Sequence, residues 1–73
     1  MATKSIRCPI SGTVFQIHKA PGDSVVAKEA VVTLECMKME IPIEAPSTGR
    51  VVSIDVREGD SVVKDQQVFV LEI

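Results

Sequence analysis

A gapless internal repeat constrains this 73-residue chain more than anything else in it. Residues 9–36 lie over residues 46–73 at a constant offset of 37 positions. About 12 of the roughly 28 pairs are identical, far above chance for so short a stretch. The matches include Pro9/Pro46, Gly12/Gly49, Val14/Val51, Ile17/Ile54, Val31/Val68, Leu34/Leu71 and Glu35/Glu72. The block Gly22-Asp23-Ser24-Val25-Val26 recurs intact as Gly59-Asp60-Ser61-Val62-Val63. Only Met37 to Ala45 has no counterpart, and it carries a lysine, Lys38, between two methionines. Half of so small a chain exposes one apolar face when alone, so the halves must pack on each other.

The dominant apolar period is two. Ile6-Arg7-Cys8, Val14-Phe15-Gln16-Ile17 and Val51-Val52-Ser53-Ile54-Asp55-Val56 alternate as half-buried strands do. Gly-containing turns punctuate them at Ser11-Gly12, Pro21-Gly22-Asp23, Ser47-Thr48-Gly49 and Glu58-Gly59-Asp60, each glycine read as supplying φ values closed to β-branched residues. Strands are expected near 5–8, 13–19, 24–26, 31–36, 39–44, 50–57, 61–63 and 68–73. There is no Trp or Tyr and only two Phe, so valine and isoleucine are expected to build the core. The fold class is all-β: a closed or sandwiched architecture with pseudo-two-fold symmetry. Equivalent strand ends then fall at opposite poles, which puts Lys38 at the pole remote from both termini.

Composition removes several functions. Net charge is −2, with ten acids and eight bases interspersed, so the basic footprint of a nucleic-acid binder is missing. No apolar run is long enough to span a bilayer, and the first residues lack a signal-peptide core. The cytoplasm is the expected compartment. Cys8 and Cys36 fit neither a zinc spacing nor a redox pair and read as reduced, packed thiols. His18, the only histidine, reads as a solvated strand residue. With no nucleophile–base spacing and too few residues to wall a pocket, no catalytic or metal site is expected.

The run Glu35-Cys36-Met37-Lys38-Met39-Glu40 resembles the attachment sequence of biotinyl domains, the carrier modules of biotin-dependent carboxylases. That family usually has Glu-Ala-Met-Lys-Met. The resemblance covers nearly the whole chain: Pro-x-x-Gly before the second strand, Gly-Asp-x-Val in both halves, and Ala-Pro-x-x-Gly after the lysine. It implies two four-stranded antiparallel sheets forming a flattened barrel or sandwich, with residues 1–73 as one biotinyl domain and 36–40 as its attachment hairpin. It implies covalent biotin on Lys38, with Met37 and Met39 as the flanking residues read by biotin protein ligase. By their charge, Glu35, Glu40 and Glu44 either add to ligase recognition around the lysine or form a solvated polar face, and Cys36 lies in the same recognition run. The partners implied are biotin carboxylase and carboxyltransferase subunits, with the chain itself a non-catalytic carrier, monomeric in isolation.

Elementary chemistry agrees with that reading. A two-residue hairpin turn wants Asn-Gly or Gly, because both central φ values are positive. Met37-Lys38 breaks this rule, and local rules are broken at functional sites. Two flanking methionines cannot both be buried beside an exposed turn residue, so they read as an adaptable recognition surface. A lipoyl domain carrying lipoate on the same hairpin lysine is the nearest alternative, but it usually shows Asp-Lys-Ala. An unmodified structural barrel is the other. Cys36 departs from the usual alanine, yet is small enough to occupy its space. No long insertion separates Gly12 from Cys36, so the thumb of some acetyl-CoA carboxylase carriers is missing. Met1 favours a complete small protein or a cloned start, against an excised segment.

Overall fold

Two kinds of turn, each present twice, set the path of the chain. The Asp23 N–H donates to Ala20 O at 3.0 Å while its carboxylate accepts from the Ala20 N–H at 2.8 Å. Arg57–Asp60 repeats both bonds at 3.0 and 2.9 Å. Gly22 and Gly59 take φ of 96° and 93° inside these turns, a region that favours glycine. The second turn joins the Glu29 N–H to Val26 O and the Gln66 N–H to Val63 O, both at 3.1 Å. There Lys28 and Asp65, themselves repeat partners, carry left-handed φ values of 72° and 73°.

Between the turns, a computed structural model describing residues 2–73 has eight strands and no helix among those residues. They are β1 (Thr3–Arg7), β2 (Gly12–Ile17), β3 (Ser24–Val25), β4 (Ala30–Cys36), β5 (Met39–Glu44), β6 (Gly49–Ile54), β7 (Ser61–Val62) and β8 (Gln67–Glu72). One antiparallel sheet has the order β1-β8-β6-β3 and the other β5-β4-β2-β7. Advancing each strand by one whole repeat, four strands, converts the first order into the second. Each sheet takes two strands from each half, and the shortest strands cross over at the edges: β3 pairs with β6, and β7 with β2. The expected eight strands and two four-stranded sheets are present. They form a flattened sandwich and do not close into a barrel.

The core lies between the sheets and is mostly valine: Val14, Val25, Val31, Val32, Val51, Val56, Val62 and Val68, with Leu34, Leu71 and Phe69. Isoleucine contributes less than expected. Only Ile43 is buried, while Ile6, Ile17, Ile41 and Ile54 pack partly exposed around the rim. A β-bulge in β2 (between Val14 and Gln16) and its copy in β6 (between Val51 and Ser53) end the two-residue alternation early. That is why β2 stops at Ile17 and β6 at Ile54, short of the expected ends, with Phe15 and Val52 about half exposed.

Gly12 and Gly49 are not the left-handed turn residues expected. They open β2 and β6, and a Cβ on Gly12 would lie 2.8 Å from Glu35 O; one on Gly49 would run into Glu72 O. Close strand approach, not φ, excludes a side chain there. The molecule measures 36 × 18 × 17 Å along its principal axes, so it has two distinct poles. At one, β4 turns into β5 beside the connection from β1 to β2. At the other, the Ile73 N–H donates to Ala2 O at 3.0 Å beside the connection from β5 to β6.

Candidate functional site

The β4–β5 hairpin runs Thr33↔Pro42, Leu34↔Ile41, Glu35↔Glu40 and Cys36↔Met39, leaving Met37 and Lys38 as a two-residue loop. Their φ values are 52° and 66°, the left-handed pair that such a loop requires of its central residues. Neither is glycine, so each holds a conformation that costs about 1–2 kcal/mol for an ordinary residue. The long, tightly paired β4 and β5 below impose it.

Alternation sorts the neighbours onto two faces. Leu34 and Ile41 point inward, so the next opposed pair, Cys36 and Met39, continues the inner face past the end of the core. Cys36 is half-buried there, with Gly12 across from it. Met39 is 65% exposed and Met37 90%, so both methionines flank the lysine in solvent. Lys38 is exposed, and its amine makes no hydrogen bond or ion pair among the described residues. On the outer face Glu35 and Glu40 sit directly opposite each other, both exposed, with no cation paired to either. Like charges so placed repel.

The remaining candidates separate from this cluster. Glu44 pairs with Ala30 at the far end of β5, roughly 17 Å from Met39 at the strand rise. Its charge does not surround the lysine as expected. His18 lies past the end of β2, its Nε2 2.7 Å from Thr33 Oγ1, away from the tip. Cys8 is buried, and burial pushes its thiol pKa up, which makes it an inert core thiol. Lys19 is no free surface lysine: its Nζ lies 2.8 Å from Glu29 Oε2, the one salt bridge among the described residues. That bond holds the Glu29 carboxyl below, and the Lys19 amine above, its ordinary range.

The sequence did not foretell a shallow groove lined by Ser24, Thr48, Gly49, Arg50, Glu72 and Ile73. It lies at the pole opposite Lys38. Among the described residues no three His, Cys, Asp or Glu side chains gather as metal ligands. No helix among them is long and apolar enough to cross a membrane.

A single exposed, unpaired amine on a rigid tip suits covalent attachment of an acyl group. No curated protein matches the chain by sequence. Solved structures do. A single-chain, multi-domain long-chain acyl-CoA carboxylase is similar over 94% of this chain, with 29% identity and a TM-score of 0.89. The urea carboxylase of Kluyveromyces lactis is similar over 99%, with 28% identity and a TM-score of 0.92. The chain spans only 7% and 6% of those proteins' lengths. Residues 4–71 match the biotin/lipoyl family, described as biotin-requiring enzyme, and by that match over nearly its whole length the chain belongs to this family.

Proposed function

We propose that this chain is a biotin carboxyl carrier, with biotin joined through an amide to Nζ of Lys38. The observation that carries this reading is the hairpin tip. It holds an exposed, unpaired lysine between two exposed methionines on a left-handed turn, and nothing nearby competes for the amine. Those residues fit the group: the amine is free to acylate, and no side chain caps it. The two carboxylases of similar structure favour biotin over lipoate.

In attachment, biotin protein ligase removes the amine's proton. The nitrogen lone pair then attacks the acyl carbon of biotinyl-adenylate, the nitrogen sheds a second proton to solvent, and the amide bond forms as AMP leaves with the acyl–phosphate electrons. The left-handed turn keeps Lys38 outward, while paired β4 and β5 stop it folding back onto the sheet. Once bound, biotin supplies a ring nitrogen that takes up and releases a carboxyl group. Lysine stem and valeryl chain make a flexible arm of roughly 12–15 Å. This chain's part is to carry the arm between a biotin carboxylase site and a carboxyltransferase site, raising the local concentration at each. It does no catalysis of its own, and the cytoplasm is the compartment that suits it.

The test is co-expression with a biotin protein ligase, read by intact mass and streptavidin blot. One biotin is expected on the wild type and none on Lys38→Arg, with unchanged thermal melting. A lipoyl adduct with a lipoate ligase and no biotin adduct would reverse the cofactor. A host carboxylase unaffected by Lys38→Arg would make the chain a structural module.

A further inference from the structure

The repeat gives each pole of the molecule an internal standard, because every feature at the attachment pole can be compared with its copy at the other. The connection Cys8–Ser11, between β1 and β2, crosses the pole that carries Lys38. It adjoins the β7–β8 turn through the Lys64 N–H to Ser11 Oγ at 3.0 Å and the Asp65 N–H to Cys8 O at 2.9 Å. It adjoins the hairpin through Gly12, whose missing Cβ would lie 3.5 Å from Cys36 Cβ. The copy of this connection, Ala45–Thr48, crosses the other pole beside Gly49 and Ile73.

The two connections differ at one informative position. Ile10 is 38% exposed at the attachment pole, and its repeat partner is Ser47, whose Oγ is buried at the other. The scaffold therefore does not need a large apolar side chain here. Val63 and Val26, by contrast, are alike in identity and exposure at 62% and 60%, so Val63 belongs to the scaffold's common pattern. Ile10 joins Met37 and Met39 as apolar surface found at the Lys38 pole alone.

A partner must cover this pole while it works on the amine. Specific complexes bury about 800 Å² on each side, some 20–30 residues, and even weak ones bury more than a four-residue hairpin offers. The footprint has to spread from the tip onto the adjoining connection. We propose that Ile10, together with Met37 and Met39, forms the apolar patch on which biotin protein ligase docks, bordered on the outer face by the Glu35–Glu40 pair. The ligase surface is then apolar with a basic rim. The inference rests on the reading of Lys38 as the biotinylated residue.

Steady-state biotinylation kinetics of the 73-residue chain test it, with Ile10→Ser, which installs the repeat partner's residue, and Val26→Ser at the opposite pole as control. Ile10→Ser raises KM about three- to tenfold with kcat unchanged, the range expected for losing one partly buried aliphatic contact. Val26→Ser leaves both constants at the wild-type value. Methyl spectra of the wild type titrated with ligase keep the idea testable if Ile10→Ser melts early: the Ile10 signals broaden or shift and those of Val26 do not. Normal biotinylation of the wild type with an unaltered KM for Ile10→Ser, or still Ile10 methyls, removes the docking patch and leaves Lys38 as the attachment site. A wild type that takes no biotin overturns both.

Discussion

Met37 and Lys38 hold a backbone conformation that runs against their local preference. Glycine or asparagine is the comfortable occupant of a turn with φ of 52° and 66°. Replacing Met37 with glycine relieves one strained residue without touching a core contact, since Met37 is 90% exposed. Met37→Gly is expected to stabilise the fold by about 1 kcal/mol, raising Tm by roughly 4–8 °C in a domain of this size. On the proposed carrier reading, with Met37 as a side chain the ligase reads, biotin incorporation is expected to fall in the same variant. A variant that is both more stable and an equally good acceptor would show that Met37 serves neither turn nor ligase. Much of this site was legible beforehand: the alternation around a two-residue loop leaves no way to bury both methionines. Glu44 is near Lys38 along the chain but not in space. Five positions of extended strand carry it well clear of the tip.

Strands and turns follow local chemistry where that chemistry is strong. The Gly-Asp turns, the β4–β5 hairpin and the long alternating strands were all visible in the residue pattern. Strand ends were less so, because a bulge moves one residue out of register without changing composition. The Lys19–Glu29 bridge ties the segment after β2 to the segment before β4, and its repeat partners, Val56 and Gln66, form no such pair. Gln66 keeps only the other half of the arrangement, its Oε1 accepting from the Val63 N–H at 3.1 Å as Glu29 Oε1 does from Val26. The Glu29 carboxyl titrates lower in the folded chain than in the unfolded one. Its contribution is present above the unfolded carboxyl pKa and fades as pH falls through the folded one. Lys19, raised, contributes below its unfolded pKa and loses that as pH climbs past the folded one. Urea midpoints taken from about pH 7 down to about pH 3 are expected to fall less steeply for Glu29→Gln than for the wild type. Equal slopes would mean that this half-exposed pair contributes nothing measurable.

Taken as one body, the molecule is two interlocked copies of a unit that cannot stand alone. β1 and β3 flank β8 and β6, and β5 and β7 flank β4 and β2, so each sheet is completed by two strands from the other half. The separate fragments 1–38 and 39–73 are expected to lack a cooperative melt and a sheet-type circular dichroism spectrum. A fragment that folds by itself would contradict the interlock. The same symmetry places the end of β8 beside the start of β1, where the Ile73 N–H meets Ala2 O, and sets Lys38 at the other end of the long axis. That separation leaves the tip free for a partner to approach.

From residue order alone came the duplication, the all-β class, the strand count and the outward lysine, because period-two alternation and turn chemistry act over a few neighbouring residues. Three-dimensional packing decided the rest. A strand of two residues has too little pattern to announce its partner, so the exchange of β3 and β7 emerges only when the sheets stack. Gly12 and Gly49 look like turn residues until a carbonyl from the neighbouring strand occupies the space of their absent Cβ. Which aliphatic side chains reach the interior likewise depends on position along a strand. Val14 and Val51 are sealed while Ile17 and Ile54, three residues on in the same strands, are only partly buried, a distinction that hydrophobicity alone does not carry.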